Sequence, residues 1–133
     1  MSASILKLHN ATIFQETEPI LADVNIDIHK GEFIYLIGKT GSGKSSLMKT
    51  LYADLDLKQG EGVIVDYDLR TLKQNDIPFL RRKLGIVFQD FKLLPDRNIF
   101  ENLLFVLKAT GWTNEVDMNE RIEDVLDCVG MLQ

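Results

Sequence analysis

Gly38-Lys39-Thr40-Gly41-Ser42-Gly43-Lys44-Ser45 is the stretch on which the reading of the whole chain turns. It fits the pattern G-x-x-x-x-G-K-[ST] at every fixed position. A loop that wraps a polyphosphate must aim several backbone N–H groups inward, through angles that glycine reaches at little cost. Lys44 brings a compact cation to the outer phosphates, and the hydroxyl of Ser45 suits Mg²⁺. The N-terminus of a following helix adds unpaired donors and a favourable dipole. The expected nucleotide-binding set is therefore Gly38, Lys39, Thr40, Gly41, Ser42, Gly43, Lys44, Ser45 and Ser46, with Ser45 on the metal.

The flanks agree with this placement. Glu32-Phe33-Ile34-Tyr35-Leu36-Ile37 is a strand-like apolar run leading into the loop, and Leu47, Met48, Leu51 and Tyr52 recur behind it at helical spacing. Strand, loop and helix come in the order that a triphosphate site requires.

Farther out, Ile5 to Ile13 is strand-like, and Val24, Ile26 and Ile28 alternate with polar residues before a turn at Lys30-Gly31. Lys58-Gln59-Gly60-Glu61-Gly62 reads as a turn, Val63 to Val65 as a short strand, and Ile77 to Leu84 as a short helix opened by Pro78. Gly85-Ile86-Val87-Phe88 resembles a second buried strand. Beyond Pro95, two amphipathic helices are expected, one ending near Gly111 and one at Gly130. The sum is an α/β domain with a parallel core sheet and a small antiparallel β region, without repeat or linker, over 1–133.

Bulk properties set bounds. With 20 acidic against 15 basic residues and a net charge of −5, the surface is poorly suited to a nucleic-acid backbone, so no nucleic-acid partner is expected. The basic run Arg81-Arg82-Lys83 reads first as a solvated helix face. The lone cysteine, Cys128, excludes an internal disulfide and fits a reducing compartment, with a buried structural thiol as its expected state. No apolar run reaches bilayer-spanning length.

Ile77-Pro78-Phe79-Leu80-Arg81-Arg82-Lys83-Leu84-Gly85-Ile86-Val87-Phe88-Gln89-Asp90, continuing through Leu93-Leu94-Pro95-Asp96-Arg97, adds a second signal. Together with the loop, this segment resembles the ATP-binding subunits of ABC transporters, and among them the FtsE-like cell-division branch. The resemblance implies an ABC-type P-loop ATPase fold that binds ATP with Mg²⁺. It implies that Phe14 stacks on the adenine ring and that Gln89 reaches Mg²⁺ and the attacking water. Read alone, Phe14 is an ordinary core strand residue and Gln89 an exposed loop residue. Phe91, Leu93 and Leu94 either dock a short helix of a membrane subunit or fold back into the core. The resemblance further implies a membrane partner of the FtsX type, a homodimer of the full-length protein, and a cytoplasmic location on the inner membrane face through that partner.

The family's L-S-G-G-Q loop, its Asp-Glu strand and its later histidine occur nowhere in the 133 residues, and both histidines, His9 and His29, precede the loop. The chain is accordingly expected to be the N-terminal part of the ATPase domain, truncated before those motifs, with no catalytic residue of its own. Binding is expected without hydrolysis. Two other readings stay open. Val63-Ile64-Val65-Asp66 has the form of a strand ending in an acidic Mg²⁺ anchor, as in a small P-loop kinase, which would put Asp66 beside Ser45. A non-catalytic module that uses nucleotide to set its shape for a partner is the third reading.

Overall fold

A computed structural model describes residues 4–39, 41–88 and 92–131. The chain divides into two compact units, Met1–Gly85 and Ile86–Gln133.

The first unit is built on an antiparallel sheet of four strands, β1 (Ser4–Gln15), β2 (Glu18–His29), β3 (Gln59–Ile64) and β4 (Tyr67–Asp68), in the order β2-β1-β3-β4. The first two form a hairpin closed by Gln15 opposite Glu18, with Glu16 in the left-handed region at φ 57°. A pleated strand buries every second side chain, yet β1 buries Leu6 and Leu8 and then Ala11 and Ile13. The parity changes at Asn10, whose φ of 48° marks an irregularity seen from both neighbours. One extra residue therefore keeps both halves of the strand facing the core.

Gly60 stands against this irregularity at φ 89°, and a Cβ there would fall 2.4 Å from the Asn10 carbonyl oxygen and 2.5 Å from Ala11 Cα. This explains why most of the glycine-rich stretch 58–62, expected as a turn, is instead strand, with 59–62 opening β3. The turn lies later, at Val65 and Asp66, with φ of 41° and 71° and Ile64 paired with Tyr67. Two left-handed residues in succession are what a tight two-residue hairpin requires.

Helix α1 (Lys44–Leu51) and helix α2 (Ile77–Arg82) complete this unit, the latter entered through a 3-10 turn at Gln74–Asp76 with Pro78 in its first turn. Leu47 and Leu80 join Leu6, Leu8, Ala11, Ile13, Leu57, Ile64 and Leu69 in one apolar core. Met48, expected on the buried face of α1, is exposed, and Thr50 is buried instead. Its hydroxyl donates to the Ser46 carbonyl oxygen at 2.9 Å, so the buried oxygen has a partner.

The parallel core sheet is the expectation that the described residues do not display. Neither 33–38 nor 85–88 carries a strand ladder, and Phe33, Tyr35, Ile37 and Val87 are 78–90% exposed. A strand is defined by hydrogen-bonded neighbours as much as by its own apolar pattern. The pairs β1–β2 and β3–β4 are joined by short hairpin turns, whereas β1 and β3 pair across a long stretch of intervening chain.

In the second unit, α3 (Ile99–Ala109) starts at Asn98, whose side chain accepts from the Glu101 N–H at 2.8 Å. Asn102 ties the preceding segment to this helix, accepting from Leu94 N–H at 2.8 Å and donating to the Leu94 and Arg97 carbonyl oxygens, each at 3.2 Å. Helix α4 (Glu115–Cys128) is capped in the same way by Asn114 and packs on α3, burying Met118 and Ile122. Gly111 and Gly130 follow the two helices in left-handed conformations, where expected. Cys128 corrects the expectation of a buried thiol. It lies off the 118/122 stripe and is exposed.

Candidate functional site

The loop of 38–45 leads directly into α1. Gly41 and Gly43 take φ of 83° and 97°, and Gly43 occupies the helix N-cap position. Neither a side-chain cap nor an acidic residue serves the first turn of α1. Its N-terminal N–H groups therefore offer positive ends of peptide dipoles without a carboxylate in the way.

Gly43 is buried against the sheet. A Cβ there would stand 2.8 Å from Leu21 Cγ and 2.9 Å from Ile20 Cγ2, so β2 backs the loop at van der Waals contact. On the open side, the Ser42 N–H donates to the Lys39 carbonyl oxygen at 3.0 Å, tightening the turn. A Cβ on Gly38 would meet the Ser42 hydroxyl at 2.5 Å. The loop is thus closed at contact distance, against strand side chains at 43 and against the side chain of Ser42 at 38.

Lys44 is half-buried, and its ammonium donates to the Gly38 carbonyl oxygen and to that of Lys39, the latter at 3.1 Å. The cation is held over the loop by groups that are themselves polarised toward it. Ser45 is exposed and Ser46 half-buried on the first turn of α1. Glycine backbone, ammonium and helix N-terminus together form a cradle for a multivalent anion. Thr40, expected in the same set, lies outside the described residues.

Phe14 stands near the same end of the sheet. It faces Pro19 across the hairpin, and its neighbour Ile13 faces Leu21, one of the two residues that back Gly43. Phe14 is half-buried and does not belong to the apolar core, since the change of parity at Asn10 turns Ile13 inward and its neighbour outward. Its ring lies 6.0 Å from the Lys58 ammonium, which also donates to the Glu16 carbonyl oxygen at 3.0 Å. One hairpin therefore carries both an aromatic surface and the side chains that back the loop.

The other candidate residues divide. Gln89 and Phe91 lie outside the described residues, while Leu93 is 68% exposed and Leu94 is half-buried beside Asn102. Asp66 sits in the β3–β4 hairpin turn of the antiparallel sheet, not at the end of a parallel strand leading to the loop. That removes the motif on which the kinase reading stood. Arg81, Arg82 and Lys83 are exposed and locally engaged: Arg81 donates to the Tyr52 carbonyl oxygen at 3.0 Å, Arg82 lies 5.0 Å from the Phe79 ring, and Lys83 lies 5.7 Å from that of Tyr67. Among the described residues no group of three or more His, Cys, Asp or Glu side chains could hold a metal.

Sequence reading missed Ile20, Leu21 and Lys58. The first two look like any strand residues, and only the approach of Gly43 shows that they back the loop. Lys58 was absorbed into an expected turn, although its position directly before β3 brings it to Phe14.

A family model described as ABC transporter matches residues 21–133. The chain is 44% identical over 109 residues to the cell division ATP-binding protein FtsE of Bacillus subtilis, covering 82% of this chain and 47% of that protein. It is 34% identical over 111 residues to the methionine import ATP-binding protein MetN 1 of Acinetobacter baylyi, covering 84% of this chain and 31% of the relative. Among solved structures, the dimeric post-hydrolysis state of the ATP-binding cassette MJ0796 bound to ADP and Pi superposes with a TM-score of 0.75 at 29% identity, over 92% of this chain and 56% of that one. The chain spans about half the length of the FtsE relatives it matches.

Proposed function

The chain belongs to the ABC transporter family, and from that premise we propose that its 38–46 segment binds ATP with Mg²⁺ as part of an ATPase that drives a membrane partner in cell division. The observation that carries the proposal is the cradle at the start of α1. Lys44 is held over the loop carbonyls, the first helical turn has no competing acid, and Gly43 is pressed against Ile20 and Leu21. These donors fit a triphosphate, whose negative oxygens would take the N–H groups and the ammonium.

Mg²⁺ keeps most of its ligands from water and phosphate, so the single hydroxyl of Ser45 suffices as the described protein contribution. Bound there, the ion would neutralise phosphate charge. In this reading Gln89 is a further ligand and Phe14 the base platform, favoured by its half-buried position on the hairpin that backs the loop. Thr40, Lys39 and Ser42 supply backbone and hydroxyl contacts along the phosphates.

The 133 residues contain neither the L-S-G-G-Q loop nor the Asp-Glu strand that the family uses to position and activate water. We therefore assign ATP binding, without turnover, to the residues of this chain, and hydrolysis to a full-length homodimer. The nearest functional neighbour of this reading is a module that changes shape on binding nucleotide. The membrane partner is assigned to the FtsX type on the likeness to the FtsE relatives. No described helix is long and apolar enough to cross a membrane.

The test is titration of the protein with fluorescent ATP and Mg²⁺, alongside Lys44→Ala. Charged hydrogen bonds of this kind lead us to expect roughly a 10- to 100-fold loss of affinity. Equal affinities for the two proteins would refute the site. Steady phosphate release by the purified chain would refute binding without turnover.

A further inference from the structure

Lys58 occupies a position that the family reading does not use. It immediately precedes β3, 42 residues from Glu16 in sequence, yet its ammonium donates to the Glu16 carbonyl oxygen at 3.0 Å. Glu16 is one of the left-handed residues of the chain, in the turn that follows Phe14 and Gln15. The same ammonium lies over the Phe14 ring, 6.0 Å from its centroid. One side chain therefore holds both the turn and the aromatic ring that precedes it.

This juxtaposition has two physical consequences. A surface ring on an antiparallel hairpin has rotamer freedom that must be lost when a base stacks on it, and a cation fixed against the ring reduces that freedom beforehand. The ammonium also places positive charge beside a π-surface, where it is attracted to the electron-rich face. The ammonium itself is anchored by its hydrogen bond to the Glu16 carbonyl oxygen, which holds the charge in place.

We infer that Lys58 is a positioning residue for the nucleotide base, acting through Phe14 and conferring preference for a nucleotide over a bare polyphosphate. The inference rests on the proposed role of Phe14 as the base platform. It gives the site two separable parts. The loop and Lys44 bind phosphate whatever is attached to it, whereas Lys58 and Phe14 contribute only when a base is present.

The experiment compares wild type, Lys58→Met, Lys58→Arg and Phe14→Ala, each titrated with ATP and with inorganic tripolyphosphate in the presence of Mg²⁺. Methionine retains the apolar stem and removes the charge. Lys58→Met should weaken ATP binding roughly two- to tenfold, the scale of ordering one side chain at an interface, and leave tripolyphosphate binding unchanged. Lys58→Arg should bind ATP better than Lys58→Met does. The tripolyphosphate arm also reports whether each variant is folded at the loop.

Unchanged ATP affinity in Lys58→Met overturns the inference, as does an equal loss for both ligands or an arginine variant no better than methionine. Phe14→Ala separates the two levels. If it weakens ATP selectively while Lys58→Met does not, the base platform stands and the role of Lys58 falls. If Phe14→Ala affects both ligands alike, the base platform itself is refuted.

Discussion

Gly41 and Gly43 sit two residues apart in the same loop, both with positive φ, and should respond to alanine very differently. At Gly41 a Cβ would meet nothing within 4 Å, so the substitution costs only the left-handed strain of an L-residue, about 1–2 kcal/mol. At Gly43 the same strain applies at φ 97°, and the Cβ would also stand 2.8–3.0 Å from Leu21 and Ile20. These contacts are inside normal van der Waals distance and belong to side chains of a paired strand, so relief requires moving the loop or β2. Overpacking of this kind adds about 1–3 kcal/mol, which brings Gly43→Ala to a total of about 2–5 kcal/mol.

Urea denaturation followed by far-UV circular dichroism measures the difference. With slopes of about 1–3 kcal/mol/M, Gly43→Ala should unfold at a midpoint lower than that of Gly41→Ala by on the order of 1 M. Gly38→Ala supplies an internal control, because the atom it would crowd is the rotatable hydroxyl of Ser42. Equal midpoints for the 41 and 43 variants would refute the claim that β2 backs the loop at contact distance.

Two further outcomes follow from the same unit. Leu8 is 2% exposed at the centre of the sheet, so Leu8→Ala should cost about 2–5 kcal/mol in the same denaturation assay, whereas Val63→Ala, on the exposed face of β3, should cost less than about 1 kcal/mol. The carboxyl of Asp27 is held below the usual aspartate range by a hydrogen bond from the Ser4 hydroxyl, with His29 and Lys7 adding favourable charge. A group whose folded pKa is lowered contributes stability above its unfolded pKa and loses it as pH falls through the folded value. Carboxyl-carbon NMR should therefore show Asp27 titrating below an ordinary aspartate, and Ser4→Ala should move it upward; an unmoved titration would refute the assigned cause.

Local chemistry made much of this protein legible from its sequence. The 38–45 stretch was legible as a candidate phosphate loop because such a loop needs glycine, lysine and a hydroxyl at fixed spacing, and Gly43, Lys44 and Ser45 stand at the start of α1. The ends of α3 and α4 were equally clear, since Gly111 and Gly130 supply left-handed conformations that stop a helix. Long-range pairing was not legible in this way. The run at 33–37 has the composition of a buried strand, but composition does not provide a neighbour, and its side chains stand largely exposed. The glycines at 60 and 62 looked like a turn because their purpose, the close approach of β1 and its leucine, is invisible until the partner strand is in place.

The sequence by itself determined that a glycine-rich loop with the pattern of a phosphate binder precedes a helix, because that pattern is local and each residue type is fixed by the chemistry of its own position. Tertiary structure decided what stands behind and beside that loop. Ile20 and Leu21 back the loop only because Gly43 is packed on β2, Phe14 lies outside the core only because the strand is irregular at Asn10, and Lys58 meets Glu16 only because β3 returns to the β1–β2 turn. Asp66 lost its acidic-anchor reading for the same reason: its place in an antiparallel hairpin depends on which strands pair, and pairing is a property of residues far apart in sequence.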